Sequence, residues 1–264
     1  MAMADKVQLT NRIVLRSIMP LFKVLYEADT GPVKKLLARY DGVIQLFIKG
    51  TDTGAYLEFK DGRLDVLQGI HPNPDIAIPF RHPAGMNAMF TGGIPVFGGL
   101  PKGIWKLPLL IKLVMLLLGL LLLMPNVNPK DPAKRELKVK LIMYMVTNAL
   151  SQLNKGGDED MMTWTAKQPD RIYQMSMDPA GPAAYLRVKA GKTKAGHGHY
   201  TRKAPFVHMR FNGLDGAYKV LAESKDTVSA TADGDIRLEG SPEYAGNMGS
   251  FMMRIQDMLM PPKK

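Results

Sequence analysis

The sequence predicts an α+β fold built twice in tandem. Three observations carry the prediction: a repeat at constant spacing, strand-like alternation within each copy, and an apolar segment ending in Leu-Met-Pro that closes both. Residues 55–69 read AYLEFKDGRLDVLQG and residues 184–198 read AYLRVKAGKTKAGHG; aligned without a gap at an offset of 129, they coincide at six of fifteen positions.

Each of these stretches reads as two strands joined by a tight turn. Asp61-Gly62 and Ala190-Gly191 stand at the corners, where a two-residue hairpin loop demands positive φ. Upstream, VIQLFIK (43–49) corresponds to RIYQMSM (171–177), and both alternate in the manner of strands. Downstream, DIAIPF (75–80) corresponds to FVHMRF (206–211), and helical segments follow in PAGMNAMFTG (83–92) and GLDGAYKVLAES (213–224). Then GGIPVFGG (92–99) and GDIRLEGS (234–241) share two glycines and an isoleucine, which makes each the last strand of its copy. Leading helices are expected within 7–40 and 133–154. PNVNPKDPAK (125–134), with three prolines and two asparagines, reads as a linker. It divides the chain into domains 1–128 and 129–264.

The closing segments are LPLLIKLVMLLLGLLLLMP (107–125) and EYAGNMGSFMMRIQDMLMP (243–261). As a helix, the 18 residues from Leu107 to Met124 would extend roughly 27 Å, close to the hydrocarbon thickness of about 30 Å. One reading is therefore a scaffold anchored in a membrane through 107–124. The second copy argues otherwise. Met248, Phe251, Met252, Ile255 and Leu259 recur at helical spacing opposite Arg254, Gln256 and Asp257, as in a helix that packs on a core. Its counterpart is expected to cover the first domain in the same way. Any surplus apolar surface would then dip into a bilayer, with Lys102, Lys106 and Lys112 meeting anionic headgroups.

Composition narrows the function. The chain is 46% hydrophobic and 22% charged with a mean hydropathy of -0.09, which does not describe a multi-span membrane protein. The absence of cysteine excludes a disulfide scaffold and thiolate chemistry. Net charge is +11, split as +5 in residues 1–128 and +6 in 129–264. With no basic tail or patch, no nucleic-acid partner is expected. The N-terminus carries Asp5, Arg12, Arg16 and Lys23 and lacks the apolar core of a secretory signal. A cytoplasmic protein, peripheral at the membrane, is expected.

Catalytic patterns are sparse. His197 and His199 alternate as if facing one way, but no third ligand accompanies them, and an exposed hairpin is the better reading. GGDED (156–160) reads as a solvated turn. TGGIPVFGG (91–99) lacks the phosphate-loop pattern. The expectation is no metal, no cofactor and no enzymatic activity.

GDIRLEGSPEYAGNMGSFMMRIQDML (234–259) resembles the sterol carrier protein type 2 family: its final strand, a Gly-Asn-Met-Gly turn at Gly246–Gly249, and its lipid-covering helix. The first copy carries the Ile94 strand and Gly98-Gly99 but lacks Asn-Met-Gly. The resemblance implies two tandem domains, each a mostly antiparallel sheet of about five strands covered by helices. It also implies a non-enzymatic carrier of a hydrophobic molecule (fatty acyl, sterol-like or isoprenoid). The alternative is an enzyme, or a partner of a lipid-metabolising enzyme, that presents such a substrate. The implied cavity residues in the first domain are Phe97, Trp105, Leu109, Leu113, Leu116 and Leu120. In the second they are Ile236, Leu238, Met248, Phe251, Met252, Ile255 and Leu259. Nineteen methionines, clustered at Met143, Met145, Met161, Met162, Met248, Met252, Met253, Met258 and Met260, suit a lining that adapts to an imprecise ligand.

Overall fold

The hairpin corners set the register of two sheets. Asp61 and Gly62 hold φ of 50° and 71°, and Ala190 and Gly191 hold 44° and 78°, so both loops are the expected two-residue turns. The computed structural model describes residues 3–259. Met260, expected among the clustered methionines, lies outside the described residues.

One compact unit comprises the chain to Leu121 together with Leu259, and another covers Leu122–Met258. The first begins with α1 (Met3–Ile13), a π-helical turn at Val14–Ile18, α2 (Leu21–Ala28) and α3 (Pro32–Leu37). Its strands are β1 (Gly42–Ile48), β2 (Gly54–Lys60), β3 (Arg63–Gln68) and β4 (Ile76–Phe80), followed by α4 (Pro83–Phe90) and α5 (Leu107–Leu120). The second opens with α6 (Pro132–Lys155) and α7 (Glu159–Ala166). Then come β5 (Arg171–Asp178), β6 (Ala183–Lys189), β7 (Lys192–His197), β8 (Val207–Asn212), α8 (Gly213–Leu221), α9 (Thr227–Ala232), β9 (Ile236–Gly240) and α10 (Pro242–Leu259). The sheets are ordered β3-β2-β1-β4 and β7-β6-β5-β8-β9. All pairings are antiparallel except β1 with β4 and β5 with β8. The architecture is therefore α+β with two mostly antiparallel sheets, as the sequence predicts.

Gly42 faces Phe59 and Arg171 faces Val188; Ala55 faces Gln68 and Ala184 faces His197. These pairs keep the 129-residue spacing of the sequence repeat, which aligns Gln45 with Gln174. That corrects the expected match of VIQLFIK to RIYQMSM by one residue. Both strands are buried along nearly their whole length on both faces, so polar-apolar alternation carries no register there.

The last strand of the first unit also departs from expectation. β9 pairs with β8, with Ile236 opposite Phe211 and Glu239 opposite His208. Along β4 only two isolated bridges form, Phe97 to Phe80 and Lys102 to Ala77. Thus Phe97, not Ile94, occupies the place of Ile236, and Ile94 is exposed. Five residue steps separate Phe97 from Lys102 where three separate Ile236 from Glu239, so the edge bulges. Pro95 and Pro101 lack the N–H that a ladder needs. Both edges end on the same glycine geometry. At Gly103 (φ 74°) a Cβ would lie 1.9 Å from the Asp75 carbonyl oxygen, and at Gly240 (φ 100°) 2.0 Å from that of Phe206.

α5 stops after 14 residues, about 21 Å of rise, and a 3₁₀ turn takes Leu121–Leu123. Among the described residues no helix is long and apolar enough to cross a membrane, which removes the spanning anchor at 107–124. Gly246–Gly249, expected as a turn, lies inside α10. Pro242 opens that helix, a position where its fixed φ favours helix.

Candidate functional site

The face beneath α10 is the richest in ring contacts. Ala245, Met248, Phe251, Ile255, Met258 and Leu259 are buried, repeating at three and four residues as one helical stripe demands. Four expected residues are therefore inward, and Ile236 of β9 is also buried; Met252 and Leu238 are half-buried. Met258, expected as one of the clustered methionines, joins the stripe.

Sequence reasoning missed the rings that α10 covers. Trp164 of α7 lies 5.4 Å from Phe251, 5.2 Å from Tyr173 of β5 and 6.2 Å from Tyr244, between ring centroids. Phe206 packs edge-on against Tyr173 and Tyr244 at 6.1 and 5.2 Å. The Arg171 guanidinium stacks over Phe206 at 3.9 Å and over Tyr244 at 4.4 Å. The Tyr173 hydroxyl donates to Gln168, and burial first of all pushes its pKa well above the usual value. Four separate chain segments supply these groups, so no local pattern announces them.

α10 is fastened at Arg254. Its Nη1 donates to both oxygens of Asp158 at 2.8 Å, and Nη2 donates to Asp160 at 2.6 Å. Asp158 is only 4% exposed and also caps α7 by accepting the Met161 N–H. The acidic loop is thus a clasp for the covering helix, which corrects its reading as a solvated turn.

α5 has two apolar faces. Leu109, Leu113, Leu116 and Leu120 are buried, as expected, while Leu107, Ile111, Val114 and Leu118 are exposed. Trp105 and Phe97, expected to line a cavity, are 74% and 45% exposed; the bulged edge carries them outward. Lys102 and Lys106 are at the surface, Lys106 paired with Asp75. Lys112 is not a headgroup contact: it is 4% exposed. Its ammonium donates to the Tyr40 carbonyl at 2.6 Å and lies 4.5 Å from the centre of the Phe59 ring. Burial holds its pKa below the ordinary lysine value. One turn inside the helix, the carbonyl of the turn between α3 and β1 is nearer than solvent.

Polar groups elsewhere are committed to structure. Ser176 Oγ lies 2.8 Å from His208 Nε2 and donates to Asp178 at 3.0 Å, but Ser176 is wholly buried. Arg210 joins Asp178 to Glu239, tying β5, β8 and β9 together. His197 stacks on Tyr144 at 3.7 Å while His199 meets Gln174, so the two histidines do not converge.

No family model and no curated protein matches the chain. Among solved structures it is similar to palmitated SCP2L2 from Aedes aegypti, at 16% identity over 40% of this chain and 90% of that one, TM-score 0.29. It is also similar to a double mutant of the sec-alkyl sulfatase PisA1, at 16% identity over 56% of this chain and 28% of that one, TM-score 0.26. The stereoselective inverting sec-alkylsulfatase Pisa1 from Pseudomonas sp. aligns at 15% identity over 56% and 27%, TM-score 0.26.

Proposed function

We propose that the chain is a non-enzymatic carrier of a hydrophobic molecule, made of two SCP2-like domains in tandem. The ligand is a fatty acyl, sterol-like or isoprenoid compound held between sheet and closing helix. The observation that carries this reading is the pair of closing helices. Each follows the edge segment beside the parallel strand of its sheet, and each turns a leucine- or methionine-rich stripe inward. Beneath α10 that stripe meets rings and thioethers, which tolerate ligands of varied shape.

The outer stripe of α5 supports a second part of the reading, transient docking on an anionic membrane surface. Leu107, Ile111, Val114 and Leu118 line one exposed face, and each leucine-sized side chain moved fully out of water contributes about 1.5–3 kcal/mol. No acidic residue occurs between Asp75 and Asp131, while Lys102 and Lys106 stand at the surface near an exposed tryptophan. Rings of that kind prefer the headgroup layer.

Native mass spectrometry followed by lipid extraction tests the carrier reading: an apolar compound should co-purify and leave the protein chemically unchanged. Turnover of that compound by the pure protein would favour instead the enzyme reading. For docking, Ile111→Glu combined with Leu118→Glu should reduce co-sedimentation with phosphatidylglycerol vesicles several-fold and leave ligand binding intact. Unaltered sedimentation would rule out this face.

A further inference from the structure

Two hydrogen-bond donors in the second unit lack an acceptor, and both belong to the ring cluster under α10. They are Trp164 Nε1 and Arg171 Nη1, each buried. A buried donor left unpaired is destabilising, and more so when charged, so two beside the same Tyr244 ring call for a physical reason. Among the described residues no carboxylate pairs with Arg171. Its chain neighbour Asp170 is engaged by Arg187, and Asp158 and Asp160, at the start of the helix that carries Trp164, are engaged by Arg254. What surrounds the guanidinium is aromatic: Phe206 and Tyr244 on its faces, with the hydroxyls of Tyr244 and Tyr173 beside it. Trp164 touches the same Tyr244 ring and the Phe251 ring of α10. The donors therefore stand where polar chemistry meets the apolar stripe of the closing helix.

The first unit has nothing comparable. In its register Gly42 stands where Arg171 does, Ile44 where Tyr173 does, and Asp75 where Phe206 does. Leu109 blocks the space that a side chain at residue 42 would enter: a Cβ on Gly42 would lie 2.5 Å from its Cδ1. A cation in one unit is thus replaced by a carboxylate and a leucine in the other.

We propose that Arg171 and Trp164 read the carboxylate of a single-chain fatty acid whose hydrocarbon lies under α10, and that only the second unit has this headgroup site. The proposal rests on the carrier reading and narrows it. A carboxylate accepts from both donors, supplies the missing negative charge, and keeps its chain among Tyr244, Phe251 and Met248. A neutral ester or sterol offers the same apolar contact without the charge. Charge-assisted bonds are roughly twice as strong as neutral ones, so the preference is large enough to measure.

The test titrates the full chain with cis-parinaric acid and with its methyl ester. The wild type should bind the acid about tenfold tighter, a difference of about 1.4 kcal/mol. Arg171→Gln should erase that preference while leaving ester affinity nearly unchanged, Arg171→Lys should restore part of it, and Trp164→Phe should weaken the acid alone. Equal binding of acid and ester by the wild type, or equal loss of both in Arg171→Gln, would overturn the headgroup assignment while sparing the carrier reading. Binding of neither probe by the wild type would overturn both. If Arg171→Gln does not fold, Trp164→Phe and the wild-type comparison still decide.

Discussion

Gln45 and Gln174 hold equivalent places in β1 and β5, and each is almost wholly buried. Gln45 donates to the Ala55 and Gly69 carbonyls at 3.0 and 3.1 Å and accepts the His71 N–H at 2.7 Å. Gln174 donates to Gly198 at 3.3 Å and accepts from Tyr200 at 3.0 Å. Each amide pins the loop that leaves the hairpin. Gln174→Leu leaves those backbone groups unpaired and should cost about 1–3 kcal/mol, read as a lower urea midpoint; Gln45→Leu should behave alike. The glutamines were visible in the sequence, but a one-residue slip in matching the copies hid their equivalence. A second residue-scale prediction concerns acid. Burial, and then the neighbouring Arg210, hold the His208 imidazole below its ordinary value of 6.5, and His197 is lowered likewise by burial and Lys140. As pH falls through 6.5 the unfolded chain binds protons that these folded imidazoles refuse. Unfolding then takes up protons, so stability declines in that window. His208→Gln should flatten the fall of the urea midpoint between pH 6.5 and about 5.

At the scale of elements, legibility followed chemistry that is local. Asp61-Gly62 and Ala190-Gly191 announced both hairpins because few residues reach positive φ. The edge segment at 92–103 was misread because its prolines and glycines admit several ways of lying beside β4; long-range backbone hydrogen bonds of Lys102 to Ala77 and of Gly98 to Pro79, with the close approach of Gly103 to Asp75, decide among them. The inward stripe of α10 was legible from its period. Its clasp was not, since Arg254 and Asp158 are 96 residues apart. Arg254→Ala should strand the Asp158 carboxylate in a buried position. Full loss of a buried partner costs about 3–5 kcal/mol; with Arg254 38% exposed, solvent screening reduces this to about 1–3 kcal/mol. Hydrogen exchange should show α10 amides losing protection while those of β5 and β6 keep theirs. Equal loss in the sheet would mean that the clasp supports the whole unit rather than the covering helix.

At the scale of the molecule, the place where the chain can be cut separates the two ways of drawing its halves. The proline-rich segment suggested a start at residue 129, whereas the compact second unit begins at Leu122. The seven residues between are not idle linker. Lys138 is 1% exposed within α6, and its ammonium donates to the Met124 and Val127 carbonyls at 3.1 and 2.7 Å. The Tyr218 hydroxyl donates to Asn128 at 3.0 Å. A fragment starting at residue 129 leaves a buried ammonium with neither acceptor, which is costly for a charge out of water. A fragment starting at Leu122 keeps all three bonds. We therefore expect residues 122–264 to unfold cooperatively in urea and to bind cis-parinaric acid. Residues 129–264 should be less stable by about 2 kcal/mol or more, and Lys138→Met should recover much of that loss by removing the stranded charge. If both fragments are equally stable, the 122–128 segment is dispensable and the boundary read from the prolines is the right one. If neither folds, the two units depend on each other, and the reading of each as a self-sufficient carrier domain fails.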